Sequence, residues 1–240
     1  GSAGRWPASR IAGDSPAKTE NLEKTVQKYL DILLLFSYTS RMTSPRGRYS
    51  RGYLPHLDLG SVPQFLTWRL KDSVPAETID KWKREVQKLD DKLRKKEMWT
   101  RIERFMDSGA GSCALGIPTN ALIVQENLRH HHQSLFVLHD WVVMPNHVHV
   151  LLTPASGITL ERIVHACKSF TSKEIQRHFS LGGRLWQEDY LDRYIRDDRH
   201  FEGVSNYIRH NPVKAKLVQD ASLWPYSSAN RVAREAVFGK

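Results

Sequence analysis

Trp141-Val-Val-Met-Pro-Asn-His-Val-His-Val-Leu-Leu-Thr-Pro154 is the stretch that decides the fold. Apolar and β-branched residues (Val142, Val143, Val148, Val150, Leu151, Leu152) dominate it, and Met144-Pro-Asn146 interrupts it, so it reads as two strands joined by a tight break. Side chains two apart on a strand share a face, so His147 and His149 project together and Val148 and Val150 project into the opposite layer. Two imidazoles side by side on a stiff strand form a two-point metal clamp, since imidazole is a common metal ligand. The alternative is a half-buried strand whose polar face carries two histidines.

Working outward, Leu135–Val143 is expected as one strand and His147–Thr153 as its antiparallel partner. Upstream, Pro63–Leu70 reads as a strand with Phe65, Thr67 and Arg69 on one face and Leu66, Trp68 and Leu70 on the other. Residues 76–107 predict one long charged helix, with Ile79, Trp82, Val86, Leu89 and Leu93 at helical spacing and Ile102, Phe105 and Met106 resuming after a phase slip. Pro118–His132 predicts a helix closed by His130, His131 and His132, which suit its negative C-terminal pole better than a metal. Thr159 caps a helix running to about Phe179, and a fourth strand falls between Leu185 and about Arg196. A last helix opens near Asp198 and ends at Asn211, before Pro212. The tail turns at Trp224-Pro-Tyr226 and ends in a basic segment, 231–240. Strand-helix-strand, twice, predicts an α+β fold: a ferredoxin-like split βαβ antiparallel sheet with helices on one face, plus helical extensions.

The formal net charge of +10 implies a polyanionic partner, a nucleic acid or an acidic membrane surface. Seven Trp and eight Tyr favour nucleic acid, because bases stack on aromatic rings. Two cysteines, Cys113 and Cys167, form no disulfide framework or ligand cluster, which points to a reducing cytoplasm. The longest apolar run, Ile32–Phe36, is far short of the ~20 residues of a membrane span. Gly1-Ser-Ala-Gly4 suggests a vector-derived start, with the natural chain expected to begin at Met42. Residues 1–41 are therefore read as an extension or vector-derived segment with a helix over 16–36, and 42–230 as the working domain. Pro45–Gly52, with Arg46, Arg48 and Arg51, is either a solvated tail or an arm that tracks phosphates.

A metal held by two histidines needs further ligands and something to act on. On the last helix Tyr207 and Asn211 are four apart and share a face. Asn211 offers a carboxamide oxygen, and Tyr207 a hydroxyl that can attack phosphorus if a cation stabilises the developing charge. Otherwise Tyr207 is an amphipathic core residue. Tyr190 and Tyr194 are its rivals, and neither has a good ligand four residues on.

Three blocks then resemble a known family: Met144–Leu152, Leu185-Trp-Gln-Glu-Asp-Tyr-Leu-Asp-Arg-Tyr-Ile-Arg-Asp197, and Tyr207-Ile-Arg-His-Asn-Pro-Val-Lys-Ala-Lys-Leu-Val218. Together, and in this order, they resemble the REP-associated tyrosine transposases, single-strand transposases with a His-hydrophobic-His motif and one catalytic Tyr. The resemblance covers roughly residues 42–230. It implies that His147 and His149 are metal ligands, that Asn211 is the third, and that Tyr207 is the nucleophile. It implies Mg2+ or Mn2+, although ligand softness alone would favour zinc. The implied reaction is nicking and rejoining of single-stranded DNA beside palindromic hairpins through a 5′-phosphotyrosine, by a monomer or homodimer in the bacterial cytoplasm, at the nucleoid. Lys168, Lys173, Arg177, Arg193, Arg196, Lys214 and Lys216 are candidates for backbone contacts, as are Arg46, Arg48 and Arg51; about half are expected to be ordinary solvated cations. A hairpin binder without strand transfer and a replication-initiator or relaxase-like nickase are the competing readings. The charged segment 76–107 and residues 1–41 depart from the family pattern.

Overall fold

A computed structural model describes residues 47–51, 54–58, 60–178 and 183–239. The helix expected over 16–36, and Arg46, lie outside them. Strands β1 (Gly47–Arg51) and β2 (Leu54–Asp58) pair antiparallel as a separate two-stranded sheet. The basic segment around Arg48 and Arg51, expected as a tail or arm, therefore has strand backbone.

The main sheet holds β3 (Gln64–Arg69), β4 (Phe136–Met144), β5 (His147–Pro154) and β6 (Leu191–Tyr194) in the order β4-β5-β3-β6, every pair antiparallel. This is the expected α+β arrangement, with the first strand of the sheet lying between the third and the fourth. The helices are α1 (Ala76–Val86), α2 (Asp91–Asp107), α3 (Pro118–His131), α4 (Leu160–His178), α5 (Asp198–Lys214) and α6 (Arg231–Phe238).

The sheet is covered on both sides, not on one face as the pattern suggested. Leu66, Trp68, Val148, Val150 and Leu152 pack with Ala121, Val124 and Leu128 of α3 and Leu160, Ile163 and Val164 of α4. The alternate positions Phe65, Val142, Met144 and Leu151 pack with Val204 and Ile208 of α5. Strand periodicity dictates this, because β3 and β5 bury side chains on both faces and each face must find a cover. A bulge between Leu138 and Asp140 lets β4 serve both layers: Leu138 points into the first, and Asp140 pairs with Leu151 on the second.

Three elements differ from expectation. The helix over 76–107 is two helices broken at 87–90, and the phase slip is the cause. Ile79 and Val86 join Met98, Ile102 and Met106 in one cluster with Val74 and Leu191. One straight helix could not present both sets to it, and Leu89 and Leu93, in the expected stripe, are exposed. The last strand-flanking helix does not stop at Asn211. It starts from the Asp197 cap, whose Oδ1 accepts the His200 N–H at 2.7 Å, and continues through Pro212 to Lys214. Pro212 costs one backbone bond there, and the Ala215 N–H still reaches the Asn211 carbonyl at 2.9 Å. The basic tail at 231–240 contains α6, whose Ala233 is buried against the first core layer. No helix among the described residues is long and apolar enough to cross a membrane.

Candidate metal and nucleophile site

His147 and His149 lie on β5 in the middle of the sheet, on the face covered by α5 and α2. Register places His147 beside Arg69 and Met144, and His149 beside Thr67 and Val142. Neither ring reaches solvent. Asn146 Nδ2 donates to the Met106 and Ala110 carbonyls at 3.1 and 3.0 Å, so its Oδ1 is left to accept from His147 Nδ1 at 2.6 Å. The proton on Nδ1 leaves the His147 Nε2 lone pair free, and it faces His149 Nε2 at 3.0 Å. On the far side of His149, Thr67 Oγ1 sits 2.7 Å from Nδ1. A hydroxyl both donates and accepts, so Thr67 can serve either tautomer of His149. Burial pushes the His147 pKa down to about 4 and that of His149 well below the ordinary value. Both rings are therefore neutral, the form that binds metals.

Helix α5 brings Tyr207 and Asn211 over this pair. The Tyr207 ring meets His149 at 5.4 Å between centroids and Phe65 at 6.0 Å, both edge-on. Its hydroxyl donates to Glu103 Oε1 at 3.4 Å. Burial raises its pKa, and Glu103 and Asp107 push it further in the same direction, so it is a neutral phenol. The Asn211 carboxamide is buried, lies close enough to the Tyr207 hydroxyl to temper that rise, and has neither amide atom in a well-formed hydrogen bond. An unmet buried amide is costly and marks a place where a partner belongs.

These donors fit a divalent cation. Two cis ligands about 2.1 Å from an octahedral ion would lie about 3 Å apart, and the two Nε2 atoms are at 3.0 Å. The Asn211 oxygen, buried beside them, is available as a third donor; among the described residues no group of three or more His, Cys, Asp or Glu side chains is arranged for a metal.

The position of α5 is set by Asp140. Its buried carboxylate accepts from Ser205 Oγ at 2.5 Å, from Arg209 Nε and Nη2 at 2.7 and 3.1 Å, and from Ser228 Oγ at 2.7 Å. Ser205 and Arg209 flank Tyr207 on the helix, so the bulge that turns Asp140 toward α5 also fixes the rotation of the helix that carries Tyr207.

The structure brings together His147, His149, Tyr207, Asn211 and Lys214. Lys214 lies 5.4 Å from the centre of the Tyr207 ring and pairs with Asp107 at 2.6 Å. Tyr190 is buried in the layer on the opposite side of the sheet, and Tyr194 ends the edge strand, so neither rival joins the histidines. Among the candidate DNA contacts, Lys168 is turned inward: its Nζ donates to the carbonyls of Gln187, Glu188 and Asp189 at 2.9, 3.2 and 2.9 Å, which makes it a loop clamp. Arg177 is exposed but pairs with buried Glu174 at 2.9 Å. Arg193 stacks on Trp99 at 4.8 Å, while Lys173, Arg196 and Lys216 are exposed. For Arg48 and Arg51 the structure describes the backbone alone.

The sequence reading missed the contribution of α2. Trp99, Glu103 and Asp107 recur every four residues, so one stripe of this helix faces the site. Trp99 packs on Phe65 at 6.0 Å, Glu103 meets Tyr207, and Asp107 meets Lys214. That spacing was the available signal, hidden in a segment where charge is abundant.

With this geometry in place, the comparisons with known proteins can be set beside it. Residues 123–211 match the family profile described as "Transposase IS200 like". The REP-associated tyrosine transposase of Escherichia coli (strain K12) is 31% identical over 105 residues, 41% of this chain and 58% of that protein. A putative REP-associated tyrosine transposase of Haemophilus influenzae is 29% identical over 108 residues, 40% of this chain and 60% of that one. The chain thus spans a little under two thirds of the curated relatives it matches. A solved structure of the REP-associated tyrosine transposase bound to a REP hairpin aligns at 19% identity with a TM-score of 0.43, covering 79% of this chain and 87% of that one. Residues 123–211, from within α3 to Asn211, match the IS200-like transposase profile, and this chain is similar to REP-associated tyrosine transposases.

Proposed function

We propose that this protein is a metal-dependent tyrosine transposase that nicks and rejoins single-stranded DNA next to hairpins, through a 5′-phosphotyrosine intermediate. The observation that carries the reading is the convergence of two neutral imidazole Nε2 atoms, 3.0 Å apart, beneath a helix that presents Tyr207 and an unpartnered Asn211. His147, His149 and Asn211 would hold Mg2+ or Mn2+, which supplies charge stabilisation at the scissile phosphate. The similarity to transposases and the needs of phosphate chemistry favour a hard, open-sited cation, although the two imidazoles alone would suit zinc.

The Tyr207 oxygen forms a bond to phosphorus as the bond from phosphorus to the 3′-oxygen breaks. The phenol proton is made up on the leaving 3′-hydroxyl through solvent, so charge and atoms balance. The free 3′-hydroxyl of the same or another strand reverses the step. No water consumption, nucleotide triphosphate or redox partner is needed. Tyr207 is half-buried and Lys214 exposed, so a phosphodiester would approach along the seam between α2 and α5, where Lys214 offers a positive charge. A flexible single strand can bend into this seam, whereas a stacked duplex resists it. The hairpin stem would serve as a rigid handle for exposed cations such as Lys173, Arg196 and Lys216.

The test is incubation of the protein with end-labelled hairpins carrying single-stranded flanks, in Mn2+, followed by denaturing electrophoresis for a covalent adduct. An adduct is expected with wild type, none with Tyr207→Phe, and none on fully paired duplex of the same sequence. Equal cutting of hairpin flank and duplex would return the protein to a general metal nuclease. An adduct of unchanged yield in Tyr207→Phe would remove Tyr207 as the nucleophile.

A further inference from the structure

The stripe of α2 that faces the site is not explained by the metal-and-tyrosine chemistry alone. The matched family segment begins at residue 123, so α2 lies wholly before it. Yet α2 supplies an acceptor for the Tyr207 hydroxyl, Glu103 Oε1 at 3.4 Å. One turn further on, Asp107 holds Lys214, seven residues beyond Tyr207 on the same face of α5. One turn earlier, Trp99 supports Phe65, the residue on which the Tyr207 ring rests. The two helices therefore meet at two successive points, one of them at the reacting atom, and α2 braces the Tyr207 ring a third time through Phe65 of β3.

Elementary chemistry says what such a contact does. A phenol hydroxyl turns about its C–O bond, and an acceptor at one side fixes the direction of the proton and with it the lone pairs that must face phosphorus. Glu103 is placed to be that acceptor, at a real cost. It is partly dehydrated next to a second carboxylate, Asp107, and burial raises its pKa, against a Trp99 hydrogen bond and the charges of Arg193 and Lys214, which lower it. A surface glutamate on a solvated helix would not be held there. Asp107 has one oxygen on Lys214 and the other buried without a partner, so it too is held at a cost.

We propose that Glu103 is a positioning residue for the Tyr207 nucleophile, supplied by a helix outside the matched transposase segment, with Asp107 holding Lys214 in register beside it. This rests on the assignment of Tyr207 as the nucleophile. It gives the charged helix a task in the reaction: it completes the aim of a tyrosine that the sheet and α5 bring only to the right neighbourhood.

The experiment compares wild type, Glu103→Ala, Glu103→Gln and Tyr207→Phe. Single-turnover adduct formation is measured at saturating hairpin DNA in Mn2+, and hairpin affinity is measured in chelator. In parallel, protein carrying 13Cζ-tyrosine is examined by NMR, with Tyr207→Phe assigning the resonance. An amide oxygen accepts a hydrogen bond as a carboxylate does, so Glu103→Gln should stay within about threefold of wild type, whereas Glu103→Ala should slow adduct formation at least about tenfold with unchanged affinity. The Tyr207 resonance should move in Glu103→Ala and return toward wild type in Glu103→Gln. If Gln is as slow as Ala, the carboxylate is needed as a proton acceptor and the positioning role is overturned. A Glu103→Ala rate equal to or above wild type overturns it as well. The NMR readout does not depend on cleavage: an unmoved Tyr207 resonance in Glu103→Ala refutes the inference even if no adduct is ever seen. An adduct formed by Tyr207→Phe refutes the nucleophile assignment instead.

Discussion

Asp140→Ala is the substitution whose cost can be worked most directly from the structure. The carboxylate is 2% exposed and is the common acceptor for Arg209, Ser205 and Ser228. Removing one partner of a buried ion pair costs about 3–5 kcal/mol, because the other charge is left in a poor environment. Here the remaining partners, Arg209 and the more distant Arg234 at 3.7 Å, keep 34% and 47% of their side chains exposed and can recover some hydration, so the lower end applies. Two hydroxyls also lose an acceptor, and Ser205 and Ser228 are both buried, though each can turn toward a nearby backbone carbonyl. The expected loss is about 3 kcal/mol, or a fall in Tm of roughly 6–12 °C for a domain of this size. Urea unfolding followed by circular dichroism measures it, with the m-value as a check that the same surface unfolds. A loss below about 1 kcal/mol at unchanged m would refute the reasoning, since it would equate this cluster with an ordinary exposed salt bridge. The double variant with Arg209→Ala should recover part of the loss, because the nearer unpaired charge is then gone and the remaining one, Arg234, is 47% exposed and stays hydrated.

Thr67→Val keeps the shape of the side chain but removes the partner of His149 Nδ1, and should weaken Mn2+ binding by about 10- to 100-fold in calorimetry while leaving the fold intact; equal affinity would show that Thr67 does not orient the ring. The thiols should be inert in the native protein. Burial pushes Cys167 up to about 12 and Cys113 up to about 11, so at pH 8 the reactive thiolate is scarce, and iodoacetamide labelling should become fast only on unfolding. The sign is that of desolvated acids: labelling of the native chain should rise with pH, and fast labelling of Cys167 at pH 8 would mean that its layer opens readily.

The main sheet was legible because its signals are local. Alternation in Pro63–Leu70, the Met144-Pro-Asn146 break and the capping residue Thr159 each act within a few positions, and β3, β4, β5 and α4 lie where these signals put them. What was not legible depends on partners distant in sequence. The second covered face follows from α5 and α2 both seeking the same apolar positions, which no single stretch reveals. Pro212 was read as a terminator because a proline forbids one hydrogen bond, yet the next turn is retained by bonds from Ala215 and Leu217 back to Asn211 and Pro212. Local cost was read correctly and outweighed by tertiary packing.

The site divides in the same way, and the division has a physical root. His147 and His149 announce themselves because strand period makes two residues converge without help from elsewhere, and Tyr207 and Asn211 do so through one helical turn. Their remaining requirements are for partners that hold rather than react: an acceptor for one ring proton (Asn146), a hydroxyl for the other ring (Thr67), a carboxylate for the helix (Asp140) and one for the phenol (Glu103). Any short polar side chain could fill such a place, so composition carries no trace of it. Lys168 shows the converse. By charge and position it looked like a phosphate contact, but its ammonium is spent on three carbonyls of the loop before β6. Whether a cation meets solvent or backbone depends on where a segment some twenty residues away folds back, and that is decided by the sheet order rather than by the helix that carries it. Groups that react must converge at fixed spacing and so leave a pattern; groups that support them need only be near, and nearness is a property of the fold.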